Sequence, residues 1–249
     1  MTDGPDFPLR EPFPPGRSAP CFCGSGRRFK HCCVAAGREG RVPHGIGVVP
    51  GFLDDAECRA ICDELKDRPS ERLLAVDHQR SNAERTVRRL DDRRVTDRVE
   101  VGELQARLDG WIERALAERI GPATGREFAW YEEPYVLKYS PGGFFVSHAD
   151  SDTIDPAAGR WKKVLDRDIS LLIYLNDEYT GGRLDFEHFE FSLRPKAGML
   201  VFFPSDMRYQ HAARPVESGQ RFAVVSWAAF EDSERVKTNP PDEAIMLRA

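Results

Sequence analysis

Between Glu133 and Phe230 the chain is a succession of short apolar runs cut apart by turn residues: "EPYVLKYS", "GGFFVSHAD", "DISLLIYLND", "GRLDFEHFEFSL", "GMLVFFPSD", "YQHAARPV" and "RFAVVSWAAF". Each run has strand length, and its β-branched and aromatic residues favour a pleated sheet. Two helical stretches precede them. Asp54 or Asp55 caps one that runs to about Lys66. The other, Val99 to Ile120, places Val101, Leu104, Leu108, Trp111, Ile112, Ala115 and Leu116 on one stripe and closes at Gly121-Pro122. Strands following helices predict a mainly β chain with supporting helices (α+β), a sandwich or jelly roll over about 128–230.

With 249 residues, 41% hydrophobic and 31% charged, the chain can build one large domain and a small appendage. Its net charge of -5 argues against general nucleic-acid binding. The basic run Arg85, Arg88, Arg89, Arg93 and Arg94 is broken by Asp91, Asp92 and Asp97 and reads as a solvated face. No apolar run is long enough to span a bilayer, and the first residues lack the apolar region of a signal peptide, so a cytoplasmic chain without a membrane partner is expected. The expected divisions are a flexible Pro-rich tail over 1–17, a cysteine-rich module over 18–38, the main domain over 39–232 and a polar tail over 233–249.

His148 and Asp150 lie two apart at the end of a strand-like run, so both side chains reach one face and one ion. A second histidine would complete a two-His-one-carboxylate triad for Fe(II), which leaves three coordination positions open. His44 and His78 fall upstream, leaving His188 and His211. His188 sits in the alternating "LDFEHFEFSL" and reads as an ordinary strand residue. His211 is followed ten residues later by Arg221 at the start of a strand. A guanidinium buried there needs an anion and fits a carboxylate with two prongs. The polar residues 151–166 read as a loop covering the site, with Trp161 among Arg160, Lys162 and Lys163 able to meet an extended peptide or an acidic ligand.

From "YSPGGFFVSHAD" through "QHAARPVESGQRFAVVSW" the sequence resembles the 2-oxoglutarate- and Fe(II)-dependent dioxygenases of the prolyl 4-hydroxylase type, over roughly Pro134 to Phe230. The resemblance implies a double-stranded β-helix, which is a jelly roll, with His148, Asp150 and His211 as iron ligands. It implies that Arg221 holds the far carboxylate of 2-oxoglutarate, where many relatives use lysine, and that Tyr139 donates its hydroxyl to the same carboxylate. Trp227 would lie beside the distal histidine, and Ser170 or Leu172 would line the cosubstrate pocket. The activity implied is O2-dependent hydroxylation of a C–H bond in a prolyl or other residue of a protein or peptide, releasing succinate and CO2, with ascorbate as an auxiliary reductant. A free amino acid or small metabolite is the alternative substrate class, and a silent jelly roll serving a binding protein is the other alternative. One departure from the family is Gly181-Gly182-Arg183-Leu184-Asp185-Phe186, where Gly-Gly-Glu-Thr before Phe is usual; it bears on the wall near the substrate.

"CFCGSGRRFKHCC" spaces Cys21, Cys23, Cys32 and Cys33 as Cys-x-Cys-x8-Cys-Cys, with Gly24-Ser25-Gly26 allowing a tight turn. Four thiolates at this density in a reducing compartment favour a closed tetrahedral zinc site over disulfides. The stretch resembles the SEC-C motif, the zinc-binding module of the bacterial SecA translocase, with Cys33 as fourth ligand and His31 as runner-up. That resemblance implies a protein-binding attachment that brings a macromolecular substrate. Arg27, Arg28, Phe29 and Lys30 would form a basic, partly aromatic surface for docking on a protein or the ribosome. Cys58 and Cys62, four apart on the first helix, read as core-facing.

Overall fold

The strand Arg221–Phe230 is the axis of the fold, with every residue along it buried. A strand buried on both faces must be apolar on both, which is why "RFAVVSWAAF" lacks the usual alternation. Ile169–Tyr174 lies antiparallel on one side of it, in register Ser170 with Trp227, and Tyr135–Tyr139 on the other, in register Arg221 with Tyr139. The nine-stranded sheet continues outward through Leu200–Pro204 and Gly47–Val49 on one edge, and through Asp97–Val99 and Ser70–Arg72 on the other. A second, five-stranded sheet runs Phe191–Leu193, Leu184–Phe186, His211–Ala213, Phe144–His148, Arg94–Val95. The two antiparallel sheets form the expected jelly roll. The computed structural model describes residues 9–11, 13–16, 18–76 and 88–247, so His78 and Arg85 of the sequence reading lie outside the described residues.

The period of two decides which residues meet the helices. Ile169, Leu171, Ile173, Phe222, Val224 and Ala228 pack with Ile61, Leu65, Leu108, Ile112 and Ile120 in one cluster, leaving Ser170, Leu172, Tyr174, Ala223, Val225 and Trp227 on the inner face. A short helix, Cys33–Arg38, lies in the cysteine-rich module; the first of the two supporting helices is Asp55–Leu65, and the Asp54 side chain accepts the Glu57 N–H at its start. Among the described residues no helix is long and apolar enough to cross a membrane.

Several expectations are corrected. Val99 closes a strand, and the second helix begins only at Gln105 after a tight turn over Gly102–Leu104. Its backbone then passes through a π turn and continues over Gly121–Thr124, because a proline at the start of a helical segment loses no hydrogen bond. Gly125, with φ 66°, supplies the left-handed stop. His188 lies on a 3-10 turn, Glu187–Phe189, that separates two strands where the sequence suggested one. Residues expected to form a polar loop instead pair as a hairpin, Asp152–Asp155 with Arg160–Lys163. Neither end is a free tail throughout: Leu9 bridges Lys162, and Ala244–Met246 adds a strand beside Phe128–Glu132.

The cysteine-rich module is seated on the second sheet. Cys21, Phe29, Cys33 and Val34 share a buried cluster with Phe186, Phe189, Phe191, Phe203 and Tyr209. Phe29 therefore faces inward and leaves Arg27 and Arg28 alone exposed beside half-buried Lys30, which corrects the expected aromatic docking surface. Gly37 touches the turn at Phe189 so closely that a Cβ there would lie 2.0 Å from the Phe189 carbonyl oxygen. Gly37→Ala is expected to lift the module and cost about 2 kcal/mol, lowering the thermal midpoint by about 4–8 °C. A differential scanning calorimetry trace superposing on wild type would refute this seating.

Candidate metal centre and cosubstrate pocket

His211 and His148 face each other directly across the second sheet, so their side chains emerge side by side with ring centroids 4.3 Å apart. The chain turns after His148, and the Ser205 carbonyl accepts both the Asp150 and Ser151 N–H groups, which brings the Asp150 carboxylate back beneath the two rings. Its Oδ1 lies 3.4 Å from His148 Nε2 and its Oδ2 3.7 Å from His211 Nε2. Adjacent ligands about 2.1 Å from one ion stand about 3 Å apart, so a slight closure completes the site.

The imidazoles are aimed. His148 Nδ1 lies 2.9 Å from the Val146 carbonyl oxygen and His211 Nδ1 3.2 Å from that of Tyr209. A carbonyl only accepts, so Nδ1 carries the proton and Nε2 keeps a free lone pair toward the shared point. Phe145 stacks on His148 at 3.6 Å, and Phe186 and Phe203 flank His211. Burial, then the neighbouring His148, push His211 down to about 4. Burial would raise the Asp150 carboxyl, but His211, His148 and the Ser170 hydrogen bond outweigh it and hold it ionised. At neutral pH His211 is therefore a neutral imidazole and Asp150 a carboxylate, and with His148 they make a donor set suited to Fe(II).

Ser170 lies on the inner face with Leu172 and supports the metal centre. Its hydroxyl donates to Asp150 Oδ2 at 2.6 Å and lies 2.8 Å from the Ser205 hydroxyl. Leu172 is the one half-buried residue in an otherwise buried strand, an opening on the inner face between Ser170 and Tyr174. The ring neighbours of His211 are His148, Phe186 and Phe203, and Trp227 is not among them. It sits opposite Ser170 under the Arg167 guanidinium, 3.8 Å from its ring centroid, because odd-numbered positions of the axial strand face inward.

Arg221 is 2% exposed and has no carboxylate partner among the described residues. It donates to the Gly182 carbonyl at 2.8 Å, lies 3.9 Å over the Tyr139 ring and keeps a buried Nε without a partner. Tyr179 Oη and Trp227 Nε1 are likewise buried and unpartnered. A buried cation lacking a counterion is costly unless a ligand supplies one. The distal carboxylate of 2-oxoglutarate fits that need, with Leu172 open toward the same face. The departure at Arg183 and Asp185 lies elsewhere: Arg183 binds Ser192, Asp185 pairs with Arg214, and Leu184 is core.

Sequence reasoning missed three partners. Tyr174, on the face of Ser170 and Leu172, has its hydroxyl pushed up by burial against the opposing influence of Arg221. Ser205 pins the Asp150 turn, and Arg167 pairs with Glu132 through two hydrogen bonds, at 2.5 and 2.6 Å. Only Tyr174 had a signal, its even spacing from Ser170.

In the cysteine module Cys21 Sγ lies 3.3 Å from Cys33 Sγ, and Cys23 Sγ 3.5 Å from Cys32 Sγ. All four are free thiols grouped within metal-binding distance, and His31 stands outside the group. Tetrahedral sulfurs at about 2.3 Å from zinc are about 3.7 Å apart, so the group fits that ion. Cys58 and Cys62 are core residues as expected, their thiols pushed up to about 11 and about 12 by burial.

Residues 134–229 match the family described as the 2OG-Fe(II) oxygenase superfamily, and residues 17–33 the SEC-C motif. Prolyl 3-hydroxylase 2 of Rattus norvegicus is 33% identical over 113 residues, covering 40% of this chain and 16% of that protein, so the chain spans only a small part of this relative's length. A viral collagen prolyl hydroxylase of Paramecium bursaria Chlorella virus-1, solved with 2OG, superposes with a TM-score of 0.53 at 22% identity over 74% of this chain and 96% of that one. A prolyl hydroxylase of Trichoplax adhaerens bound to a hypoxia inducible factor peptide fragment gives 0.52 at 16% identity over 83% and 93%. At these identities both structures show a shared fold.

Ser170→Ala should weaken metal binding roughly 10- to 100-fold by releasing Asp150. Anaerobic calorimetry with Fe(II) reads this, and an unchanged affinity would remove Ser170 from the support of the site. The metal-free protein should also lose stability as pH falls from 6.5 toward 4, because unfolded His211 takes up a proton that the folded ring refuses. Denaturant midpoints across that window should fall more for wild type than for His211→Asn.

Proposed function

We propose that this chain, which carries a domain of the 2OG-Fe(II) oxygenase superfamily over residues 134–229, hydroxylates a C–H bond of a prolyl or other residue in a protein or peptide. The observation that carries the reading is the buried, unpaired Arg221 on the inner face that also presents the Ser170–Asp150 end of the metal cluster. Fe(II) with 2-oxoglutarate and O2 would supply the oxidising chemistry, yielding succinate and CO2. His148, Asp150 and His211 would hold the ion, leaving coordination positions for cosubstrate and O2. Arg221, seated on Tyr139, fixes the far carboxylate, and Tyr139 offers its hydroxyl to the same group. Trp227, Phe186 and Phe203 exclude water around the reacting centre.

The exposed hairpin beside the cluster, with Ile154 51% exposed, suits an extended peptide better than a small metabolite. A binding protein with a silent jelly roll would not need an unpaired buried cation. The four thiols would hold structural zinc in a reducing, cytoplasmic setting, and ascorbate would act only as an auxiliary reductant. Docking on the ribosome would rest on Arg27, Arg28 and Lys30, the basic rim left when Phe29 turns inward.

Adding Fe(II) and then 2-oxoglutarate to the chain without oxygen should give a visible charge-transfer band. His211→Ala should abolish it, and Arg221→Ala should raise the 2-oxoglutarate concentration required about 10- to 100-fold. A folded wild-type chain that binds Fe(II) yet shows no band would sink the oxygenase reading. With the band present, proline-containing peptides should stimulate succinate release and gain one oxygen atom by mass.

A further inference from the structure

The hairpin Asp152–Lys163 leaves the metal cluster two residues after Asp150, yet its strands pair only with each other in a separate two-stranded sheet. No ladder of the jelly roll fixes where it stands. Its foot is tied down by Lys163, which pairs with Asp168 and donates to the Glu234 carbonyl, and its body is held by a segment from the other end of the sequence. Leu9 bridges Lys162, Arg10 N–H donates to the Trp161 carbonyl at 2.7 Å, and Arg160 donates to the Arg10 carbonyl at 2.8 Å.

The Arg10 guanidinium grips the Asp152 carboxylate with Nε at 3.0 Å and Nη2 at 3.1 Å. That carboxylate is fully buried and also accepts from Ser151 Oγ at 2.9 Å and Met207 N–H at 3.1 Å. Met207 begins the turn that leads into His211, so Asp152 joins the hairpin foot to the distal-ligand strand. A two-pronged pair is geometrically specific, and removing Arg10 would leave the buried Asp152 carboxylate without its cation.

Three residues after Arg10 the segment is anchored again. The Phe13 ring meets Phe22 edge-on at 5.4 Å, Phe29 at 5.7 Å and His188 at 5.1 Å. Phe22 stands between Cys21 and Cys23, and Phe29 lies between the two cysteine pairs, so the cysteine module supplies one wall of the socket and the Glu187–Phe189 turn, through His188 and Phe189, the other.

We propose that residues 9–11 together with Phe13 act as a strap and that Arg10 is a positioning residue for the substrate hairpin. The cysteine module anchors Phe13, and Arg10 carries that anchorage to Asp152 and sets the hairpin against the metal cluster. The module thereby acts inside the chain, holding the strap, and not only as an attachment for other proteins. Ile154 and its cross-strand neighbour Trp161 are on the element so placed, so the strap governs contact with substrate and not with cosubstrate. The substrate side of this inference rests on the oxygenase reading; the strap itself does not.

Backbone hydrogen exchange of residues 152–163, measured by mass spectrometry on the full chain loaded with Zn(II), tests the strap directly. Arg10→Ala and Phe13→Ala should each speed exchange there tenfold or more, while Arg221–Phe230 stays as protected as in wild type. Arg10→Lys should fall between, since an ammonium keeps the charge without the fork. Succinate release driven by a synthetic proline-repeat peptide then reads the consequence: the peptide KM should rise fivefold or more in Arg10→Ala, with the 2-oxoglutarate KM unchanged. Unchanged hairpin exchange in both variants overturns the strap whatever the chemistry. Faster exchange with an unchanged peptide KM overturns the positioning role of Arg10. Faster exchange together with no peptide-stimulated succinate from wild type supports the strap and counts against the substrate reading.

Discussion

The pairing of His211 opposite His148 is the constraint on which the rest depends. Side chains on a strand alternate, so a slip of one residue would send one imidazole to the outer face and leave no site. Register in the second sheet is held by more than its own short ladders. Ser205, at the end of a strand in the first sheet, binds the two N–H groups that follow His148, and Ser170 from the neighbouring strand binds the carboxylate that follows. The metal cluster is thus built at the seam of both sheets, and its geometry is set by backbone hydrogen bonds, which vary little, more than by long side chains, which do.

The second pole of the site follows a different logic. Arg221 enters from the axial strand, where both faces are buried, and its charge is tolerated because Tyr139 and Tyr174 surround it and one carbonyl accepts from it. This satisfies part of the fork and leaves the remainder for a ligand. Preorganisation of this kind places the cost of burying a cation in the folded protein and recovers it when the anion arrives.

Much of this was legible in the sequence, and the reasons differ by element. The His-x-Asp spacing, the distal histidine and the later arginine are readable because one strand face collects residues two apart. The cysteine spacing is readable because four thiols so near have few other uses. The second helix was misjudged at both ends: Val101 and Leu104 fit a helical stripe although the helix proper starts at Gln105, and Pro122 looks like a stop although it is harmless in a first turn. That Ser170 stands beside Asp150 was not legible, because only the register, a long-range fact, brings the two together. The ends of the chain looked like tails because short strands such as Ala244–Met246 owe their order to a partner more than a hundred residues away.

The seating of the cysteine module carries a consequence for synthesis. Its cysteines lie within the first 33 residues, whereas Phe186, Phe189 and Phe191, which cover its aromatic face, come more than 150 residues later. At about 5–20 residues per second, a nascent chain shows that face to its surroundings for roughly 10–30 s before its cover is made. A metal held by the four cysteines would not hide Phe22 and Phe29, whose partners Phe189 and Tyr209 come later in the chain. A growing chain that has made the module but not yet the second sheet therefore carries an uncovered aromatic face.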